Sequence, residues 1–293
     1  MEFTNLGRVI IQALKVAMVS TLGLEFFLFN AIQMITIHLS IDRVRLKDEI
    51  SPAKEMSPVL VNTKVAMKSQ KEGTFYVQVN VPVLRIRSGP STKNPIVRRA
   101  LKGMIFKVKL AREDKNEIWY EIQQPANLRY PERIKSKWFI AGKYNGEWLT
   151  KEVKEREITV FPGTKPEDKW IKVKISTQTL QAFEKDRVVF ETKVSTGLLT
   201  KKGYQTPLGT FRIFRKELSV YMQGPLPGDN DWFDLPGVPF VMYFTKRGDT
   251  FHGTYWHSSF GRPYSHGCVN LSIPDSEWLY WWTPLGTKVV IEK

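Results

Sequence analysis

The 293-residue sequence holds one cysteine and four histidines. Three of those histidines, His252, His257 and His266, share one short stretch with the cysteine, Cys268. A thiol nucleophile needs a base or cation that favours the thiolate. It needs donors aimed at a developing oxyanion and a third group that holds the base in one tautomer. His266-Gly267-Cys268 can supply the donors, because glycine lets neighbouring N–H groups converge on one point. His252 or His257 can supply the base. The same four side chains have donor types that suit zinc. Their spacing, His-x4-His-x8-His-x-Cys, fits no standard zinc pattern, and His266 and Cys268 alternate around a turn. An inert core thiol is the third reading of a lone cysteine. A single cysteine excludes an internal disulfide framework and any CxxC motif.

The surrounding residues narrow these choices. His252 precedes Cys268 by 16 residues, and Cys268 lies in Ser265-His266-Gly267-Cys268-Val269-Asn270. Upstream stand Val194-Ser195-Thr196-Gly197 and Thr206-Pro207-Leu208-Gly209-Thr210-Phe211. This set resembles the L,D-transpeptidase (YkuD-type) catalytic domain over about residues 168–293. The resemblance implies Cys268 as nucleophile and His252 as general acid/base, with the Gly253 carbonyl orienting the imidazole. Members often carry serine at this glycine, but a backbone acceptor does not depend on the side chain. It further implies an oxyanion hole from the N–H groups of Gly267 and Cys268. Ser265 and His266 would shape the turn and contact substrate. Asn270 sits where many members have arginine, and Arg262 is the candidate for a substrate carboxylate. The implied reaction is acyl transfer between peptidoglycan stem peptides that forms 3-3 cross-links, with no metal or organic cofactor. An L,D-carboxypeptidase using water as acceptor would share every one of these residues. A non-catalytic wall-binding protein would keep only the fold.

Those residues must be positioned by a β-rich unit, expected over 157–293. Ile171, Val173 and Ile175 fall on one face of a strand, with Lys172, Lys174 and Ser176 on the other. A hairpin follows through Val188–Phe190. Gly224–Gly237 is crowded with Pro225, Pro227, Gly228, Asp229, Asn230 and Asp231 and reads as a long loop. Ser272 is a candidate N-cap for one helix through Trp278, with acids in its first turn. Trp278, Trp281 and Trp282 would pin that helix to a sheet. The expected architecture is sandwich-like.

Between residues 74 and 145, five short strands separated by turns suggest a small barrel. Leu84–Thr92, Lys102-Gly103, Trp119–Ile122 and Trp138-Phe139 resemble the bacterial SH3-like domain, whose members target walls or bind peptides. The insert Gln124–Lys137 is longer and more basic than that family leads one to expect. The net charge is +15, and residues 1–167 carry +11 of it. Arg98, Arg99, Lys102, Lys107, Lys109, Arg129, Arg133, Lys135 and Lys137 read as solvated faces that could also grip an anionic wall polymer. No helix-turn-helix, zinc finger or RNP-type motif points to nucleic acid. Residues 42–73, with two Ser-Pro pairs, read as a linker. Val16–Ile41 is apolar with one formal charge, Glu25. Its length suits a spanning helix, so residues 1–41 are expected to be a membrane anchor or signal segment. A cell-envelope, extracytoplasmic location follows. The fold class expected is mainly β, with an N-terminal apolar helix.

Overall fold

The computed structural model describes residues 73–156, 158, 160–161, 163–225 and 230–293. The apolar segment and the linker expected before residue 73 lie outside the described residues, as does 226–229 within the long loop. Among the described residues, no helix is long and apolar enough to cross a membrane.

Among the described residues, three sheets and one α-helix make up the fold. The first sheet contains β1 (Thr74–Val79), β2 (Val83–Arg87), β3 (Ile96–Leu101), β4 (Ile105–Glu113), β5 (Ile118–Ile122), β6 (Trp138–Tyr144), β7 (Glu147–Trp148) and β8 (Thr150–Glu152). Its order is β3-β2-β6-β5-β4-β1-β8, with β7 paired to β6. Eight strands replace the five read from the sequence, and β7 and β8 lie beyond residue 145. β3 carries no alternating signal, because its apolar residues Ile96 and Val97 are exposed and two arginines interrupt the pattern. Trp119 and Trp138 are buried core residues, and Trp119 Nε1 donates to Glu117 Oε2 at 3.1 Å.

The second sheet joins β9 (Lys169–Lys174), β10 (Thr179–Glu184), β11 (Arg187–Lys193), β12 (Gly209–Arg212) and β17 (Lys288–Glu292) in the order β11-β10-β9-β17-β12. The third joins β13 (Arg215–Gln223), β14 (Asp234–Tyr243), β15 (Thr250–Gly253) and β16 (Val269–Leu271) in chain order. One apolar core serves both: Ile171, Val173, Leu180 and Val289 from the second sheet meet Phe240, Met242, Phe251 and Leu271 from the third. Helix α1 (Ile273–Trp282) starts at Ser272, whose Oγ accepts from the Asp275 N–H at 3.2 Å. This satisfies one of the donors that every helix N-terminus leaves open. Trp282 donates to Glu184 Oε1 at 2.8 Å, and Trp278 stacks on Phe190 at 4.3 Å, so these rings fasten the helix to the second sheet.

The loop expected over Gly224–Gly237 is shorter, because β14 already begins at Asp234 and runs through Pro236 and Pro239. β14 meets β15 only at Met242 and Tyr243, so its N-terminal half has a ladder partner on one side alone. Proline, which lacks an N–H, is tolerated on such a half-open edge.

The first sheet and the other two interlock. Ile105 of β4, fully buried, belongs to the core beneath the second and third sheets. Tyr221 and Tyr255 pack in the opposite direction, against the first sheet's core. The Ser219 hydroxyl donates to the Ile105 carbonyl. All described residues fall in one compact unit.

Candidate active site

His252 lies on β15, and its cross-strand neighbour on β16 is Asn270. The two strands run parallel, so Cys268, one residue before β16, falls opposite Thr250. The Thr250 hydroxyl donates to Cys268 Sγ at 3.4 Å, which places the thiol over that face of the sheet. Residues two apart along a strand share a face and lie ~6.6 Å apart along it. His252 therefore stands beside the thiol on the same face.

His252 is 2% exposed. Its Nδ1 sits 3.1 Å from the Gly253 carbonyl oxygen. A carbonyl only accepts, so Nδ1 carries the proton and Nε2 keeps its lone pair. Burial pushes the imidazole down from 6.5 to about 4, against the opposing pull of the Gly253 carbonyl. The ring is thus neutral and ready to accept a proton across the physiological range. Trp256 lies beside it, ring centroids 5.6 Å apart.

The Cys268 thiol is pushed up by burial, and Asp249 pushes the same way. Thr250 and the Arg247 guanidinium pull it down. At rest, then, the site holds a neutral thiol and a neutral imidazole. Burial thus disfavours a thiolate–imidazolium pair at rest.

The turn that presents the thiol is built from several distant segments. Gly267 has φ of +126°, and a Cβ there would fall 2.4 Å from Asp249 Oδ1. Only glycine satisfies both constraints. Asp249 is itself buried and held by Arg247, with Nε to Oδ2 at 3.0 Å. Ser265 Oγ accepts from the Gly267 N–H at 3.1 Å and donates to the Cys268 carbonyl. Thr206 Oγ1 donates to the Gly267 carbonyl at 2.8 Å and accepts from the Gly197 N–H at 2.8 Å. Ser195 bridges Asn270, and Gly197 bridges Ser265. The two upstream motifs thus brace the turn from behind.

His257 and His266 make other contacts. The Ser259 N–H donates to His257 Nδ1 at 3.1 Å, and His257 Nε2 lies 2.9 Å from the Asn270 amide. Burial lowers the His257 pKa and keeps the ring neutral. With Nδ1 accepting, Nε2 carries the proton and must meet the amide oxygen of Asn270 rather than its NH2. Turning the amide this way also gives a partner to the buried Oδ1, which otherwise has none. His266 Nε2 lies 3.4 Å from Asp231 Oδ2, with its ring packed against Tyr204 at 4.3 Å and Phe233 at 5.4 Å. Arg262 is exposed in the connection between β15 and β16. Among the described residues, no group of three or more His, Cys, Asp or Glu side chains could hold a metal ion.

The structure therefore gathers His252, Gly253, Ser265, Gly267, Cys268 and Asn270, with His266 at the rim. It adds Thr250, Asp249, Arg247 and Thr206, which the sequence reading did not single out as site residues. The profile of the YkuD family, the L,D-transpeptidase catalytic domain, matches residues 168–291. That segment is an L,D-transpeptidase catalytic domain. This chain is 28% identical over 146 residues to the L,D-transpeptidase YciB of Bacillus subtilis, covering 45% of this chain and 69% of that protein. L,D-transpeptidase 3 of Mycobacterium tuberculosis is 33% identical over 96 residues, covering 31% of this chain and 35% of its own length. Among solved structures, the Enterococcus faecium L,D-transpeptidase aligns at 25% identity and a TM-score of 0.38, covering 43% of this chain and 50% of that one.

Proposed function

We propose that this chain is a peptidoglycan L,D-transpeptidase that joins two stem peptides through a Cys268 thioester. The observation that supports this most is the Nδ1 contact of His252 with the Gly253 carbonyl at 3.1 Å, which leaves Nε2 as a base on the face that carries the thiol. Cys268 Sγ attacks the carbonyl of the third residue, a diamino acid, of a tetrapeptide stem while its proton passes to His252 Nε2. The Gly267 N–H exchanges Ser265 Oγ for the developing oxyanion and acts with the Cys268 N–H. The intermediate collapses to a thioester, and the departing D-alanine amine takes the proton from His252. The side-chain amine of a second stem then attacks the thioester and gives its proton to His252. Collapse returns that proton to the thiol and releases the 3-3 cross-link. His266 and Arg262 contact substrate at the rim. Turned toward His257, the buried Asn270 amide fixes the β15–β16 crossing beside the site and does not itself meet substrate. Water in place of the second amine would give carboxypeptidase chemistry from the same thioester.

The first sheet is read as an SH3-like module, supported by the motifs from Leu84 to Phe139. Its outward basic residues would meet an anionic wall polymer, and the segment 1–41 would place the enzyme at the membrane, outside the cytoplasm. Arg98 and Arg133 are excluded from that polymer surface, because both turn inward onto Asp234, at 2.6 Å and 3.8 Å.

Intact-mass spectrometry of the protein with a tetrapeptide muropeptide tests the reaction. The parent should gain the acyl tripeptide mass and lose it again as cross-linked dimer forms when an acceptor stem is added. Cys268→Ala should gain nothing and make no dimer. Dimer formed by the alanine variant would overturn the assignment.

A further inference from the structure

The insert between β5 and β6, residues 123–137, stands out in the sequence for its length and its basic residues, and nothing in the reaction above uses it. It carries a short 3-10 turn, Pro131–Arg133. Its side chains reach across to the connection between β13 and β14, whose far side meets His266.

The contacts are specific. Arg133 Nη2 donates to the Gly224 carbonyl at 2.8 Å, and Nη1 to the Phe233 carbonyl at 3.3 Å. One guanidinium therefore bridges the two ends of the connection. Tyr130 Oη donates to the Pro225 carbonyl at 2.8 Å. The Tyr130 N–H donates to Gln223 Oε1 at 2.9 Å, and Gln223 Nε2 donates back to the Tyr130 carbonyl at 3.2 Å. The Asp234 side chain is 6% exposed and receives Arg98 on one side and Arg133 on the other. The Arg133 guanidinium also lies 4.0 Å from the centre of the Tyr130 ring. Near the other end, the Phe233 ring packs against the His266 imidazole at 5.4 Å, and Asp231 Oδ2 lies 3.4 Å from its Nε2 without a hydrogen bond between them; His266 immediately precedes Gly267 and Cys268.

We propose that Arg133 and Tyr130 are positioning residues of the transfer reaction: by clamping Gly224, Pro225 and Phe233 they hold Phe233 against His266, while Asp231 is fixed separately by Lys201 and Tyr204. They touch no reacting atom. A planar guanidinium donating to two carbonyls fixes the separation of the two ends in a way that a lysine, with one compact charge, does not. Loss of the clamp lets Phe233 draw back from the imidazole at the rim. The thiol, held by Thr250 and by the turn behind it, stays in place. This inference rests on the transpeptidase reading for its kinetic consequence and on geometry alone for the mechanical link.

The test uses the whole chain with Arg133→Ala, Arg133→Lys and Tyr130→Phe. Three quantities are measured: steady-state transfer on a tetrapeptide muropeptide, alkylation of Cys268 by iodoacetamide, and hydrogen exchange of residues 230–234 and 265–267. A shift of the order of an ångström at a positioned group can cost up to ~100-fold, so a partial displacement should lower kcat/KM by ~10-fold in Arg133→Ala. The loss should be carried by KM, with Arg133→Lys intermediate and thiol alkylation within about twofold of the parent. Exchange should rise in both segments and stay unchanged in β9 and β10. Tyr130→Phe, which removes one hydroxyl, should show the same pattern at smaller size and serves if Arg133→Ala does not fold. Parent-like kcat/KM in every folded variant would overturn the inference. So would alkylation that falls in step with kcat/KM, since that means general loosening. If the parent itself turns over no muropeptide, the transpeptidase reading fails. The mechanical link then stands or falls on exchange alone.

Discussion

Acidification probes the buried imidazole directly. His252 has its pKa lowered from 6.5 to about 4 by burial. As pH falls below 6.5, the unfolded chain takes up a proton at this residue and the folded chain does not. The folded state therefore loses stability progressively between pH 6.5 and about 4, and this contribution is flat below that. At about 1.36 kcal/mol per pH unit, the gap amounts to roughly 3 kcal/mol. That is a large share of the ~5–15 kcal/mol that usually separates native from unfolded domains. Carboxylates titrate in the same window, and His257 shifts in the same direction, so the contribution must be isolated by difference. Urea unfolding of the parent and of His252→Gln at pH 7.5, 6.5, 5.5 and 4.5 provides this. The parent should lose ~2–3 kcal/mol more than the variant between the first and last points. Acylation of the parent should persist down to about pH 5 and fall off only near the folded-state pKa. Equal pH slopes for the two proteins would refute the lowered pKa of the buried imidazole.

Other perturbations separate the neighbouring parts. Thr250→Val removes the hydroxyl that pulls the thiol pKa down. Loss of a bond worth ~1 kcal/mol should shift the iodoacetamide alkylation profile to higher pH and slow the reaction about fivefold at pH 7. An unchanged profile would mean that the hydroxyl does not serve the thiolate. Gly253→Ser, though serine is common at this place in the family, would put Cβ 2.4 Å from Ser276 Oγ and 2.9 Å from Pro239 Cγ. Overpacking of this kind should cost ~1–3 kcal/mol by urea unfolding, and the double variant Gly253→Ser with Ser276→Ala should recover much of it.

The reach of the sequence differs from part to part. Cys268, His252 and Gly267 were legible because their logic is local: one thiol, one spacing, and one glycine at a turn. The Ser272 cap and the alternating face of β9 were legible for the same reason. Thr250 and Asp249 were not, since a threonine and an aspartate acquire meaning only when parallel pairing sets β15 beside the Cys268 turn. Thr206 was visible as part of a motif, but its task, joining Gly197 to the Gly267 carbonyl, is a contact over long sequence distance. Arg98 and Arg133 looked like solvated charges because nothing near them in the chain reveals the buried Asp234. The division into two domains followed the change in strand texture. It could not show that Ile105 of the first sheet is packed in the core of the second and third.

The parallel pairing of β15 with β16 gives the sixteen-residue interval between His252 and Cys268 a topological meaning. Antiparallel neighbours can be joined by two residues, whereas parallel neighbours require a return crossing of a dozen or more. The stretch 254–268 is that crossing, a strap that leaves the end of one strand and re-enters beside its start. Its length records the circumference the chain must travel around the imidazole. The strap's outer bend, at the exposed Gly261 and Arg262, has room for added residues; its two roots at Thr254 and Ser265 are buried and have none. A sequence signature of this kind is therefore a measured path, and it can lengthen only where the path faces solvent.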